Sequence, residues 1–219
     1  MLKTTLLCAA AALALSACTY DVHGNAEDRS VDAAGLVASR DVDVPGDAEF
    51  SGMFVGADGR VGRDLELSGA TVRSNMIVGR HLEASAGRLR FQGEVGGDAE
   101  ISAGTADVDA DIAGDAEIAV GRITLDGRIR GRLVMDGGRM DVRADIDGPV
   151  EIRGHGRDEG NGRVEIAGRL GEGGWICAAE VDIRPSARIE GPLTVISPER
   201  PHGEGFVWEA LDGRDCETL

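Results

Sequence analysis

Apolar side chains return along this chain at fixed offsets that repeat every 17 residues. Gly46, Arg63, Arg80, Gly97, Gly114, Gly131 and Gly148 mark the repeat, each 17 residues beyond the last. Counted from a marker, apolar residues stand at offsets 2, 4, 9, 11 and 15. After Gly97 these are Ala99, Ile101, Ala106, Val108 and Ile112; after Gly114, Ala116, Ile118, Ile123, Leu125 and Ile129; after Gly131, Leu133, Met135, Met140, Val142 and Ile146. The pairs at 2/4 and 9/11 enclose mostly polar residues, which is the period of a half-buried strand. A helix needs sustained apolar returns at three and four residues, and the chain has none. Glycine recurs at offset 7 (Gly87, Gly104, Gly121, Gly138), where a corner needs backbone freedom.

A period this short predicts an all-β fold: a single-stranded parallel β-helix, or β-solenoid, in which each strand meets its own copy one winding later. About eight to nine turns of about 17 residues fit the span 41–197, giving a rod about 40 Å long at the usual strand spacing. One winding cannot bury enough to order itself, so stability grows with the number stacked. After Ile152 the segment 153–161 (RGHGRDEGN) inserts about seven residues before the pattern returns at 162–166, which reads as a loop bulging from a corner. Two less regular windings follow, at 174–183 and 187–196.

Residues 1–17 stand outside the repeat. Lys3 gives a positive start, Leu6 to Leu15 a short apolar run, and the stretch ends Leu15-Ser16-Ala17-Cys18. That ending resembles the bacterial lipoprotein lipobox. The resemblance implies a signal peptide over 1–17, cleavage before Cys18 and acylation (palmitate among the chains) of Cys18. It also implies a membrane contact through that lipid. Thr19 after the cysteine favours the outer membrane, facing the periplasm or the cell surface. Residues 18–40 then read as the lipidated cysteine and a polar tether. Residues 198–219 read as a C-terminal cap, since a solenoid end exposes unpaired backbone and core and must be covered. Cys177 and Cys216 are candidates for a disulfide in an exported compartment, the alternative being two separate thiols.

The formal charge is −16; losing Lys3 with the leader leaves 22 arginines against 39 acids, or −17. That balance argues against nucleic acid and against anionic lipid bound by charge alone. Offset 3 carries Glu49, Glu66, Glu83, Glu100, Glu117 and Glu151, which stacking would align on the outside. Two readings stand: an acidic ladder that divalent cations bridge, or a solvated face whose charge discourages sideways aggregation. His23, His81, His155 and His202 have no metal-ligand spacing, although His155 lies beside Asp158, Glu159 and Asn161 in the inserted loop. No nucleophile elbow, phosphate loop or dinucleotide fingerprint occurs. The sequence therefore predicts no catalytic residues, no cofactor, no metal site and no small-molecule substrate.

The short turns, the string Ile112-Ala113-Gly114-Asp115-Ala116-Glu117-Ile118 and the lack of a cofactor motif resemble the bactofilins, polymer-forming bacterial cytoskeletal proteins. The resemblance covers about 41–197. It implies a right-handed β-helix, nucleotide-free end-to-end self-association and a scaffolding role near membrane and cell wall, with no catalytic residues to carry over. The leader and the capping tail stand outside that family's pattern. The expectation is a non-catalytic envelope scaffold or spacer; an adhesin-like or cell-wall-binding solenoid is the second.

Overall fold

In a computed structural model, which describes residues 19–24, 29–155, 162–211 and 216, the chain is a β-solenoid of about 10 turns. The strands, in chain order, are β1 (Thr19–His23), β2 (Ser30–Val44), β3 (Ala48–Val61), β4 (Leu65–Val78), β5 (Leu82–Val95), β6 (Ala99–Ile112), β7 (Ala116–Ile129) and β8 (Leu133–Val142). Beyond β8 the windings break into shorter strands, from Asp145–Ile146 to Val207–Ala210. Among the described residues there is no α-helix. From β2 to β8 the pairing is parallel and in register at 17 residues: Val31, Ala48, Leu65, Leu82, Ala99, Ala116 and Leu133 form one column.

The inward columns are those the offsets predicted. Ala116, Ile118, Ile123, Leu125 and Ile129 are all buried, as are their copies in the neighbouring windings. The interior is a mainly aliphatic stack, interrupted by the buried Ser74 between Ala57 and Phe91, with Phe50 and Phe91 as its only fully buried aromatic side chains among the described residues. Strand alternation is what allows this, because every second side chain can point out to water while its neighbours fill the core.

A sixth inward position appears in alternate windings at offset 13. Val42, Met76, Ala110 and Ala144 are buried there, whereas Gly59, Gly93 and Gly127 occupy the intervening windings with φ of +117°, +135° and +97°. A side chain built on Gly93 would place its Cβ 2.0 Å from the Met76 carbonyl oxygen. Glycine is therefore required at that corner, and the true structural repeat there is two windings.

The expected polar tether is corrected by β2. Residues 30–44 form a full winding, paired with β3 from Val31↔Ala48 to Val44↔Val61, and β1 runs antiparallel to its first five residues. The sequence signal is weak there because the inward residues are small (Ala33, Ala38) and one inward position carries Arg40, whose guanidinium stacks over Tyr20 at 4.6 Å. This winding, together with the one begun by Val207–Ala210, explains the larger turn count. The proposed leader (1–17) and Cys18 lie outside the described residues.

At the other end the chain closes the stack. Pro201 is buried, Phe206 packs on the core, and the segment between passes over Ile183 and Ile189, close enough that a Cβ on Gly203 would meet Ile183 at 3.1 Å. Val207–Ala210 pairs with Leu193–Ser197, and Trp208 Nε1 donates to the Ser197 carbonyl at 3.3 Å. Cys177 and Cys216 are joined as a disulfide with Cα atoms 5.6 Å apart, in a small cluster with Ile196, Trp175 and Leu211.

Candidate functional site

A shallow groove of about 670 Å³ runs along one face of the stack. Two columns of side chains frame it. Its rim at offset 3 holds Asp32, Glu49, Glu66, Glu83, Glu100 and Glu117, which lie opposite one another from winding to winding. Glu151 belongs to the same column but is separated from Glu117 by Val134 and sits instead near Arg132 and Arg153. The acidic ladder expected from the sequence is thus continuous over five of its six glutamates and extended at the start by Asp32.

The other column, at offset 1, was not singled out in the sequence. It holds Ser30, Asp47, Asp64, His81, Asp98 and Asp115, and each side chain accepts a hydrogen bond from the backbone N–H of the next member. Ser30 Oγ accepts from Asp47, Asp47 Oδ1 from Asp64, Asp64 Oδ1 from His81, His81 Nδ1 from Asp98, Asp98 Oδ1 from Asp115, and Asp115 Oδ1 from Arg132. Strand pairing lapses at this corner, so these N–H groups need another acceptor. The chain of bonds stops where both partners fail together: Arg132 offers no acceptor, and the next residue in the column, Pro149, has no N–H. The recurring "GDAE" strings carry this signal, and a short acceptor one place after a corner glycine is what could have found it.

Arginines temper the column. Arg63 approaches Asp47 at 3.3 Å and Arg80 approaches Asp64 at 2.6 Å, which accounts for arginine at two of the marker positions. In the outer column Glu151 has such relief from Arg132 and Arg153, but among the described residues no arginine forms an ion pair with Glu49, Glu66, Glu83, Glu100 or Glu117. The pKa of Glu66 is raised, first because surrounding protein displaces water from its carboxylate, then by the like charges of Glu49 and Glu83. Farther along the rod, Asp147 accepts from Arg128 (2.8 Å) and Arg169 (2.6 Å), and Arg169 reaches Glu190 at 2.8 Å. These bonds lower the pKa of Asp147 and of Glu190 and raise that of Arg169.

The groove presents negative charge and hydrogen-bond acceptors to solvent. Among the described residues, no group of three or more His, Cys, Asp or Glu comes together so as to hold a metal ion. The outward glutamates stand in file rather than converging, so the geometry offers no chelating cage to a cation. His155 Nε2 lies 3.2 Å from Asp136 Oδ1, while Asp158, Glu159 and Asn161 lie outside the described residues. No protein-family model matches this chain, nor does any curated protein or any solved structure.

Proposed function

We propose that this chain is a non-catalytic envelope lipoprotein whose solenoid serves as a rigid scaffold or spacer. The single observation that carries the reading is the form of the rod. Its interior is filled by matched aliphatic columns, and its C-terminal end is closed by residues 201–206 and tied by the Cys177–Cys216 disulfide. A filled core with short, uniform corners builds length and stiffness and leaves little loop from which to shape a reacting cleft. The lipobox-like ending at Cys18 supplies the anchor in this reading, with the outer membrane and its periplasmic face as the site of action. The bactofilin resemblance extends to the stacked 17-residue windings; a covered end favours discrete rods over end-to-end filaments.

Negative-stain microscopy and mass measurement of the mature protein test this. Monodisperse rods about 45 Å long, the length of about ten windings at strand spacing, are expected. Filaments would overturn the discrete rod in favour of bactofilin-like polymerisation.

One observation favours a second reading, an adhesin-like or cell-wall-binding module. The groove framed by the offset-1 and offset-3 columns is long, open and acidic, which suits an extended cationic ligand. Saturable, salt-sensitive binding of a polyarginine peptide, lost in a Glu66→Gln/Glu83→Gln/Glu100→Gln variant, would favour it over the scaffold.

A further inference from the structure

The corner between the two longer faces of each winding differs from the rest of this acidic surface. Residues 34–37, 51–54, 68–71, 85–88, 102–105 and 119–122 stack there in register, and none is Asp or Glu; the acid-free stretch ends at the next copy, 136–139, where Asp136 stacks on Ala119. In the first two windings the corner carries Leu36, Val37, Met53 and Phe54, exposed by 50, 54, 50 and 51%. They form one patch, since Gly35 faces Gly52 and Val37 faces Phe54, leaving Leu36 and Met53 side by side at the turn. Val207, at the far end, is the only other large apolar residue exposed to this degree among the described residues. In later windings the same column turns basic: Arg88 and Arg122, followed by Arg139. None of these three has a carboxylate partner among the described residues, whereas Arg80, Arg90, Arg128 and Arg169 all do.

The start of the described chain leads to the same corner. β1 runs antiparallel to β2, so Thr19 lies opposite Ala34, the first residue of the acid-free edge, and its hydroxyl donates to the Ala34 carbonyl at 3.5 Å. The residue before Thr19 is Cys18. The start of the described chain thus lies at the acid-free edge, two residues from Leu36 in the facing strand.

We propose that this edge is the membrane-facing side of the rod, so that the protein lies along the bilayer rather than standing away from it. Leu36, Val37, Met53 and Phe54 enter the interfacial region of the lipid beside the anchor. Arg88, Arg122 and Arg139 meet lipid phosphates farther along. The absence of carboxylates from these windings matters as much as the patch, because a chain of overall charge −16 is on the whole repelled by anionic headgroups. A lipid chain and an apolar–basic edge are two weak signals that reinforce each other. The proposal rests on the lipoprotein reading for its anchor and decides, within the scaffold function, between lying and standing.

The test uses the full-length protein reconstituted in vesicles of phosphatidylethanolamine and phosphatidylglycerol containing brominated phosphatidylcholine. Phe54→Trp probes the patch, Thr105→Trp the middle of the edge, and Asp109→Trp a face turned away. All three sites are exposed, so folding is not at stake. The added fluorescence of Phe54→Trp and Thr105→Trp should be quenched by roughly half, as expected for side chains about 5–10 Å into the headgroup–acyl boundary, with Asp109→Trp unaffected. Thr105→Trp no more quenched than Asp109→Trp overturns the proposal. So does an emission change at Thr105→Trp that follows protein concentration in detergent, which would mark the edge as a contact between copies. Labelled palmitate at Cys18 is measured in parallel. Acylation without quenching sinks this inference alone; quenching without acylation sinks the lipoprotein reading and leaves the edge standing; neither overturns both.

Discussion

Asp98 and Asp115 lie one winding apart, and the carboxylate of the first accepts the backbone N–H of the second at 2.9 Å. The same bond recurs down the corner, where a side chain rather than a neighbouring strand satisfies the backbone N–H between windings. Its value is separable from its charge. Asp98→Asn keeps the acceptor and removes the charge; Asp98→Ala removes both and leaves an N–H without that partner. The alanine variant should lose about 1 kcal/mol in urea unfolding, as for a net hydrogen bond, and the asparagine variant less than half of that. Equal losses would mean that the bond contributes nothing beyond electrostatics.

Glu66 should work against the fold at neutral pH. Its native pKa is raised above the ordinary carboxylate value. Between the unfolded and native pKa values the native state therefore binds more protons, and the group's contribution, fully present below the unfolded value, is lost as pH rises through the native one. Glu66→Gln should then stabilise the protein at pH 7 by a few tenths of a kcal/mol, within the roughly 0.2–1 kcal/mol typical of exposed charge pairs. The gain should shrink in high salt and disappear in acid below that pKa. Thermal melts across pH check this; a gain that persists at low pH would contradict it.

Arg169 gives the opposite sign. It bonds Glu190 and Asp147, and both carboxylates have lowered native pKa values. Their contribution is complete above the unfolded carboxylate pKa and is lost as pH falls through the lowered native values. Arg169→Gln should lower Tm at pH 7, and the gap from the parent protein should close in acid. A gap independent of pH would show that Arg169 acts by packing alone.

Much of the core was legible in the sequence, because Ile118, Leu125, Ile129 and their copies repeat at offsets that only stacking explains. The first winding was not, since Ala33 and Ala38 give a faint apolar signal and Arg40 breaks it. The hydrogen-bonded column is hidden in the sequence for a different reason. An aspartate at offset 1 reads as surface charge until the register brings the next winding's N–H beneath it. The groove was half legible: Glu49 to Glu117 were visible as a row, but not the Asp47 to Asp115 column that frames its other side.

The corner glycines follow a period twice that of the count. Gly93 has φ of +135°, and a Cβ there would lie 2.0 Å from the Met76 carbonyl oxygen. Gly93→Ala should therefore cost about 1–3 kcal/mol, through both backbone strain and the displaced strand. Ala110→Gly, one winding later in the same column, should cost nearer 1 kcal/mol, the entropic term for glycine in a strand. Equilibrium unfolding of both variants distinguishes strain from simple loss of order; equal effects would remove the case for a two-winding repeat.

Deletion tests the register of the whole stack. Removing 114–130 joins Ala113 to Gly131, which then occupies the place of Gly114 and keeps every inward column aligned. Asp98 would meet the N–H of Arg132 in place of that of Asp115, since Asp115 already bonds Arg132 in this way. Ala144 would take the place of Gly127 over Ala110, where a Cβ would lie 2.3 Å from the Ala110 carbonyl oxygen, so this one corner must shift and adds a local cost. A shorter, folded rod with a cooperative melt is expected, less stable by the contribution of one winding and its interface. Removing 114–122 instead shifts the following residues by nine. An odd shift turns inward side chains outward, because strand alternation has a period of two. Circular dichroism and gel filtration should find that protein unfolded or aggregated. If the two deletions were equally harmful, the windings could not be interchangeable units, and the stacking argument for stability would fail.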